Sequence, residues 1–378
     1  MNSRERILCA INHRQPDRQP LDLGSNYTTS LVVEAYEEFK KHLGLQTPTE
    51  LLDQMQRAVE VEEEVLREFD IDVRGINYGN PEDIPQDDLG PEAYRDAWGI
   101  VRVRPPSSFY YDQIVFPLAG EITAWDILNY PHPDPEHPGW TRHLRSRLAW
   151  IKKNTDCAIL LQVPSPVVHI SQYLRGFEDW YLDFVSNPRL LEILFDYCLD
   201  VNMAVCRNIL REIGSEVDIV GTGDDLGAQL GLQISPEHYR KYIHPRLKRY
   251  FNLIHDLSPA KLFFHSCGSV ETILGDLIDI GVDIINPVQV NAKGMDPVNL
   301  KEKFGKNLVF WGGIDSSKIL PFGTVRDVKD EVERRMEQLG EGGGYVLCAV
   351  HNIQPDVSKE KIMAMYKHAI EYRPSYMK

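Results

Sequence analysis

The stretch KLFFHSCGSVETILGDLIDIGVDIINPV, residues 261–288, decides the fold. Its ends, KLFFHS (261–266) and VDIINPV (282–288), are short apolar runs of the kind found in strands buried on both faces. The intervening ETILGDLIDIG reads as a helix. A strand, a helix and a second strand in so short a span form the unit that builds a parallel sheet.

Working outward, similar runs recur at PLDLGS (20–25), IDVRGIN (71–77), AILLQVP (158–164), VDIVGTG (217–223), NLVFWGG (307–313) and GYVLCAV (344–350). Helical patterns lie between them. SPEHYRKYIHPRLKRYFNLIHDL opens on Ser235 as N-cap with Pro236 behind it, and the segment after Ser358 carries Ile362, Met365, Tyr366 and Ala369 as one apolar stripe. Eight runs alternating with helices predict an α/β chain folded as one (β/α)8 TIM barrel over residues 1–378, with a doubly wound open sheet as the alternative. The one long interruption, at about 78–156, contains DAWGIVRVRPPSSFYYDQIVFPL, a hairpin pattern around Pro105, Pro106, Ser107 and Ser108. It is expected to be an inserted cover over the barrel mouth.

A chain of 378 residues, 43% of them hydrophobic, has material for a core of that size. Its net charge of -15, spread without blocks of like sign, argues against nucleic-acid and anionic-membrane partners. The N-terminal stretch lacks a secretory apolar core, and no apolar run approaches the roughly 20 residues that cross a bilayer. A cytoplasmic protein is expected, its six scattered cysteines held as thiols.

In such barrels the reactive groups stand at the carboxyl ends of strands. There the sequence places Asn26, Asp224, Asp225, Gln229, His265, Cys267, Asn286, Gln289, Cys348 and His351. His265 and Cys267 share one side of an extended chain, because side chains alternate with period two. With Cys348 they make two sulfurs and one imidazole, a donor set that suits a catalytic zinc with its fourth position open. The plainer reading is also available, since a cysteine near a strand end is most often a small buried hydrophobe. Asp224 and Asp225 read either as acid/base or ligand-binding groups, or as a solvated turn.

GDDLGAQLGLQISPEHYRKYIHPRLKRY, FFHSCGSV, GVDIINPVQ, WGGID and GGGYVLCAVHNIQPDV together resemble the uroporphyrinogen decarboxylase superfamily, whose fold is the (β/α)8 barrel. The resemblance implies one of two chemistries, decarboxylation of a porphyrinogen or zinc-dependent methyl transfer involving corrinoid proteins. The decarboxylases carry an arginine-rich motif early in the chain; here LDLGSNYTTSL, without arginine, stands after the first run. The thiol-methylating branch has H-x-C and a distant cysteine, matched by His265, Cys267 and Cys348 as zinc ligands. A second, methoxy-demethylating branch uses Glu-x14-Glu-x20-His, and the corresponding positions here hold Gln229 and His244.

The resemblance therefore implies a zinc-dependent methyltransferase working with cobalamin on a separate corrinoid protein, since the chain has no D-x-H-x-x-G cobalamin motif. A small thiol, methoxy or methylamine compound would be the other reactant. Asp225 and His351 are expected as catalytic groups, with Asn26, Asp224, Gln229, Asn286 and Gln289 at the substrate. The alternatives are a decarboxylase of a carboxylated substrate and a non-catalytic binding protein on the same barrel.

Overall fold

The computed structural model describes residues 1–86 and 89–377. The elements that position the site are strands β1 (Val73–Ile76), β2 (Ala93–Arg95), β3 (Val101–Val103), β4 (Asp112–Val115), β5 (Ala158–Gln162), β6 (Ile219–Gly223), β7 (Lys261–His265), β8 (Ile284–Asn286), β9 (Val309–Trp311) and β10 (Tyr345–Val346). With them go helices α1 (Ser3–Ile11), α2 (Val168–Arg175), α3 (His244–Leu257) and α4 (Lys359–Glu371).

Seven strands pair in the order β10-β9-β8-β7-β6-β5-β1, all parallel. The eighth position is filled by the chain around Leu21. Leu347 N–H donates to Pro20 O, Asp22 N–H to Leu347 O and Asp72 N–H to Leu21 O, which joins β10 to β1 and closes the (β/α)8 barrel. The strand expected over 20–25 is thus reduced to a single bridge. Its cause is local: Ser25 donates to Asp22 through both its amide and its hydroxyl, bending the chain before a ladder can grow.

Strand alternation sorts the apolar residues into two sets. Val73, Leu160, Ile219, Phe263, Ile284 and Trp311 fill the barrel interior, whose amino-terminal end is closed by Ile7 and Ile11 of α1. Their neighbours, among them Ile76, Leu161, Val220, Phe264 and Phe310, face the helices. Layers of side chains leave no pore, so chemistry is confined to the carboxyl ends.

Ser235 does cap its helix, accepting from His238 N–H at 3.1 Å, but the helix is not uniform. Over Tyr239–Ile243 it widens, with His244 N–H bonded to Tyr239 O. Pro245 explains this, since it has no N–H for the carbonyl one turn back and its ring clashes there. At α4, Ser358 occupies the N-cap without a side-chain capping bond.

The segment between β1 and β5 holds the antiparallel sheet β2-β3-β4, one strand more than the expected hairpin. The Tyr110 hydroxyl donates to Asn352 Oδ1 at 2.6 Å, tying this segment to the chain after β10. Among the described residues, no helix is long and apolar enough to cross a membrane.

Candidate metal centre at the barrel mouth

His265 ends β7 two residues after inward-facing Phe263, and pairing continues one step further through Ser266 N–H to Asn286 O. Cys267 follows on the same side, its sulfur 3.5 Å from His265 Nε2. The third member is His351: His265, Cys267 and His351 each offer a donor atom, and all three atoms lie within 4.8 Å of one another. Two ligands held at about 2.0 and 2.3 Å by one tetrahedral zinc stand about 3.5 Å apart, so the imidazole–sulfur separation suits a shared ion.

Both imidazoles are oriented by an asparagine. His265 Nδ1 lies 2.6 Å from Asn286 Oδ1, and Asn286 Nδ2 donates to Trp311 O, which fixes the amide with its oxygen toward the ring. His351 Nδ1 lies 2.8 Å from Asn352 Oδ1, whose Nδ2 donates to Gln56. In each ring Nδ1 therefore carries the proton and Nε2 keeps its lone pair. Burial pushes His265 down to about 4 and lowers His351, so both are neutral at pH 7. Burial, with the Asp225 carboxylate adding to it, raises the Cys267 thiol well above its ordinary value.

Cys348, expected as the second sulfur, is not part of this group. Its side chain is fully buried with Trp311 and Val346 in the barrel interior, and its thiol lies against Ala349 O at 3.3 Å. Pairing and alternation continue past β10 through the bridges of Leu347 to Leu21 and Ala349 to Ile314, which keeps Cys348 in the interior with Val346, and it is the imidazole three residues on that turns to the mouth. His244 lies elsewhere, packed edge-on against Tyr239.

The adjacent acids part company. Asp225 faces the cluster: its Oδ1 accepts from Cys267 N–H at 2.7 Å and lies 3.8 Å from His265 Nε2, while its Oδ2 is 3.4 Å from His169 Nε2. Burial opposes its charge, but His169, His265 and the Cys267 amide hold the carboxyl well below the usual range. His169 is raised in turn, Asp225 outweighing its desolvation. Asp224, expected at the substrate, is fully buried, and its two oxygens accept the N–H groups of Val167, Val168 and His169 at the start of α2. It anchors a helix.

Asn26 and Asn286, also expected at the substrate, are both buried. Asn26 Oδ1 accepts from Thr28 and Thr29, holding the turn after Asp22, and Asn286 holds His265. Gln289 accepts from Gly268 N–H and donates to Gln229, which reaches Asn291 O, so the two glutamines brace loops beside Cys267. Gln289, Cys267 and His351 line a cleft of about 610 Å³ with Tyr110, Asp315 and Gln354. His169 was not singled out in the sequence, whereas Asn352 is read there among the polar groups after the eighth run and Tyr110 among the aromatics of the inserted segment. His169 stands a few residues beyond the run at 158–164, where a strand-end search could have found it.

Gly268 lets the chain turn directly behind Cys267. Its φ is +86°, and a Cβ would lie 2.4 Å from the Gly227 carbonyl carbon and 2.7 Å from Ala228 N. Gly268→Ala is therefore expected to destabilise the fold by roughly 1–3 kcal/mol. A urea midpoint equal to that of the parent would contradict this close approach.

Residues 118–372 match the family model described as uroporphyrinogen decarboxylase (URO-D). The chain belongs to the URO-D family. Within it, relatives of both chemistries are similar to this chain. The methylcobamide:CoM methyltransferase MtaA of Methanosarcina barkeri is 26% identical over 223 residues, covering 58% of this chain and 60% of that protein. The uroporphyrinogen decarboxylase of Pseudoalteromonas atlantica is 23% identical over 338 residues, covering 83% and 84%. A solved methyltransferase structure from Methanosarcina mazei superposes with a TM-score of 0.67 at 18% identity over 98% of this chain and 99% of that one, which supports the barrel. The URO-D family relatives are thus enzymes of two kinds, methyltransferases and decarboxylases, and the choice between them falls to the site.

Proposed function

We propose that the protein is a zinc-dependent methyltransferase moving a methyl group between a corrinoid on a separate protein and a small thiol, methoxy or methylamine compound. The observation that carries this reading is the convergence of His265, Cys267 and His351 at an open cleft. Nitrogen, sulfur and nitrogen donors, with both imidazoles held neutral by burial and oriented by asparagine partners, are a set that zinc accepts. Zinc bound there supplies Lewis acidity toward the substrate heteroatom, lowering the pKa of a thiol or polarising an ether or amine.

The chain's own residues do the rest. Asn286 and Asn352 keep Nε2 of each ring directed at the cleft. Asp225, held charged beside His169, accepts from the Cys267 amide and fixes the loop that carries the thiol, and the proton released on ionisation leaves to solvent. The cleft mouth is the side from which a corrinoid-bearing protein delivers or receives the methyl group. Cobalamin thus acts as a cofactor carried by that partner.

The decarboxylase reading predicts no bound metal and activity that survives Cys267→Ser. Metal analysis of purified protein tests the two: about one zinc per chain is expected, and none returns the decarboxylase. Calorimetric zinc titration in buffers of different ionisation heat adds the proton count. With both imidazoles neutral and the thiol protonated, about one proton should leave per zinc at pH 7, the affinity rising about tenfold per pH unit from 6 to 8. Two protons would mean a second thiolate ligand and would reject the His-Cys-His set.

A further inference from the structure

Beyond the His169–Asp225 pair lies a second cavity, of about 380 Å³, walled by Tyr78, Tyr94, Trp98, Trp140 and Tyr173. Arg102 of β3 enters it from the antiparallel sheet, its side chain only 4% exposed. Nη1 is bonded to Asp96 Oδ2. The guanidinium carbon sits 5.1 Å from the Tyr173 ring centre and 5.9 Å from that of Tyr94, so its plane is held between two rings. Among the described residues neither Nε nor Nη2 finds an acceptor, and Nε is buried. These two atoms form the edge of arginine that matches a carboxylate through two parallel hydrogen bonds.

We propose that this cavity takes the carboxylate of the substrate: Arg102 offers its Nε–Nη2 edge to a small monocarboxylic acid with a flat body held between the aromatic walls. The claim that this ligand is the methyl-transfer reactant rests on the reading above; the binding itself does not. A buried guanidinium edge without an acceptor is costly, and a carboxylate relieves that cost while leaving the Asp96 bond intact. The Arg102 fork takes one carboxylate. The volume suits a small molecule.

The cavity and the metal centre are neighbours. His169 lines the cavity and lies 3.4 Å from Asp225 Oδ2, whose Oδ1 accepts from Cys267 N–H at 2.7 Å, so one pair of side chains separates the cavity from the cluster. Of the acids lining the cavity, Asp96 is paired with Arg102 and Glu82 with Arg142, and burial raises Asp53 toward the neutral form, in which it can donate to a carboxylate. The same rings with an ionised Asp53 would instead cage an alkylammonium ion, and the test separates the two.

Benzoate, benzamide and benzyltrimethylammonium are titrated into the full-length protein without any methyl donor, followed by calorimetry and tryptophan fluorescence. Benzoate should bind, benzamide roughly 10- to 100-fold more weakly, and Arg102→Lys should weaken benzoate by a similar factor because the ammonium cannot reproduce the fork. If Arg102→Lys fails to fold, Tyr173→Ala leaves the Asp96 pair in place and should weaken benzoate about 5-fold. Preference for benzyltrimethylammonium, or benzoate binding unchanged in a folded Arg102→Lys or Tyr173→Ala protein, would overturn the proposal. Because neither zinc nor turnover enters the readout, failure here leaves the methyl-transfer reading standing, and loss of that reading leaves this one measurable.

Discussion

Cys267→Ala and His351→Ala should each yield protein that purifies folded and without zinc, while Cys348→Ala keeps about one zinc per chain. The magnitude follows from sharing a binding free energy of about 10–16 kcal/mol over four donors, or about 3–4 kcal/mol each, a factor of roughly 10²–10³ in affinity per donor. Cys348 has no share in that sum, since its sulfur is packed in the barrel interior with its thiol against Ala349 O. Removing it opens a small void beside Trp311 and should cost roughly 0.5–3 kcal/mol of stability. The readouts are therefore crossed: two variants lose metal and melt like the zinc-stripped parent, and the third keeps its metal and melts below the zinc-loaded parent. Zinc lost from Cys348→Ala and retained by His351→Ala would restore the His-Cys-Cys set and remove the geometry used above.

That crossed result shows where the sequence is legible. His265 and Cys267 could be found because they continue a regular strand, where period two ties spacing to direction. The third member of the cluster lies beyond the bridge at Ala349: up to there alternation keeps Cys348 inside with Val346, and past it no period says where the imidazole of His351 turns. A familiar ligand pattern then favoured the sulfur over the imidazole three residues later. Seven of the eight strands were likewise readable from apolar runs buried on both faces, whereas the run at 20–25 carries Asp22 and Ser25, whose mutual hydrogen bonds turn the chain after one bridge. Arg102 was beyond reach for another reason. It lies in an inserted sheet, and only the packing of that sheet against α2 brings it beside Tyr173.

Asp224 and Asp225 pose the same problem at closer range, and the larger stability effect follows from it. Successive side chains at the end of β6 point to opposite sides, so one carboxylate turned toward His265 implies that the other turns into the wall. There it meets the amino terminus of α2, whose first N–H groups have no partners within the helix. Asp224 supplies them: Val167 and Val168 donate at 2.8 Å, both buried, and His169 at 2.9 Å, part-buried. Asp224→Ala strands two buried donors at about 1–3 kcal/mol each and a part-buried third, partly recovered if water enters the space, so a loss of about 2–5 kcal/mol is expected. Out of a usual total of about 5–15 kcal/mol this lowers the urea midpoint by a large fraction at unchanged slope. Asp224→Asn keeps one acceptor oxygen and should fall between the two. The same anchor sets His169 against Asp225, so the Ala variant that remains folded should also lose activity without losing zinc. A midpoint within the error of the parent would show that α2 is held by its packing alone, and that the carboxylate had been free for chemistry after all.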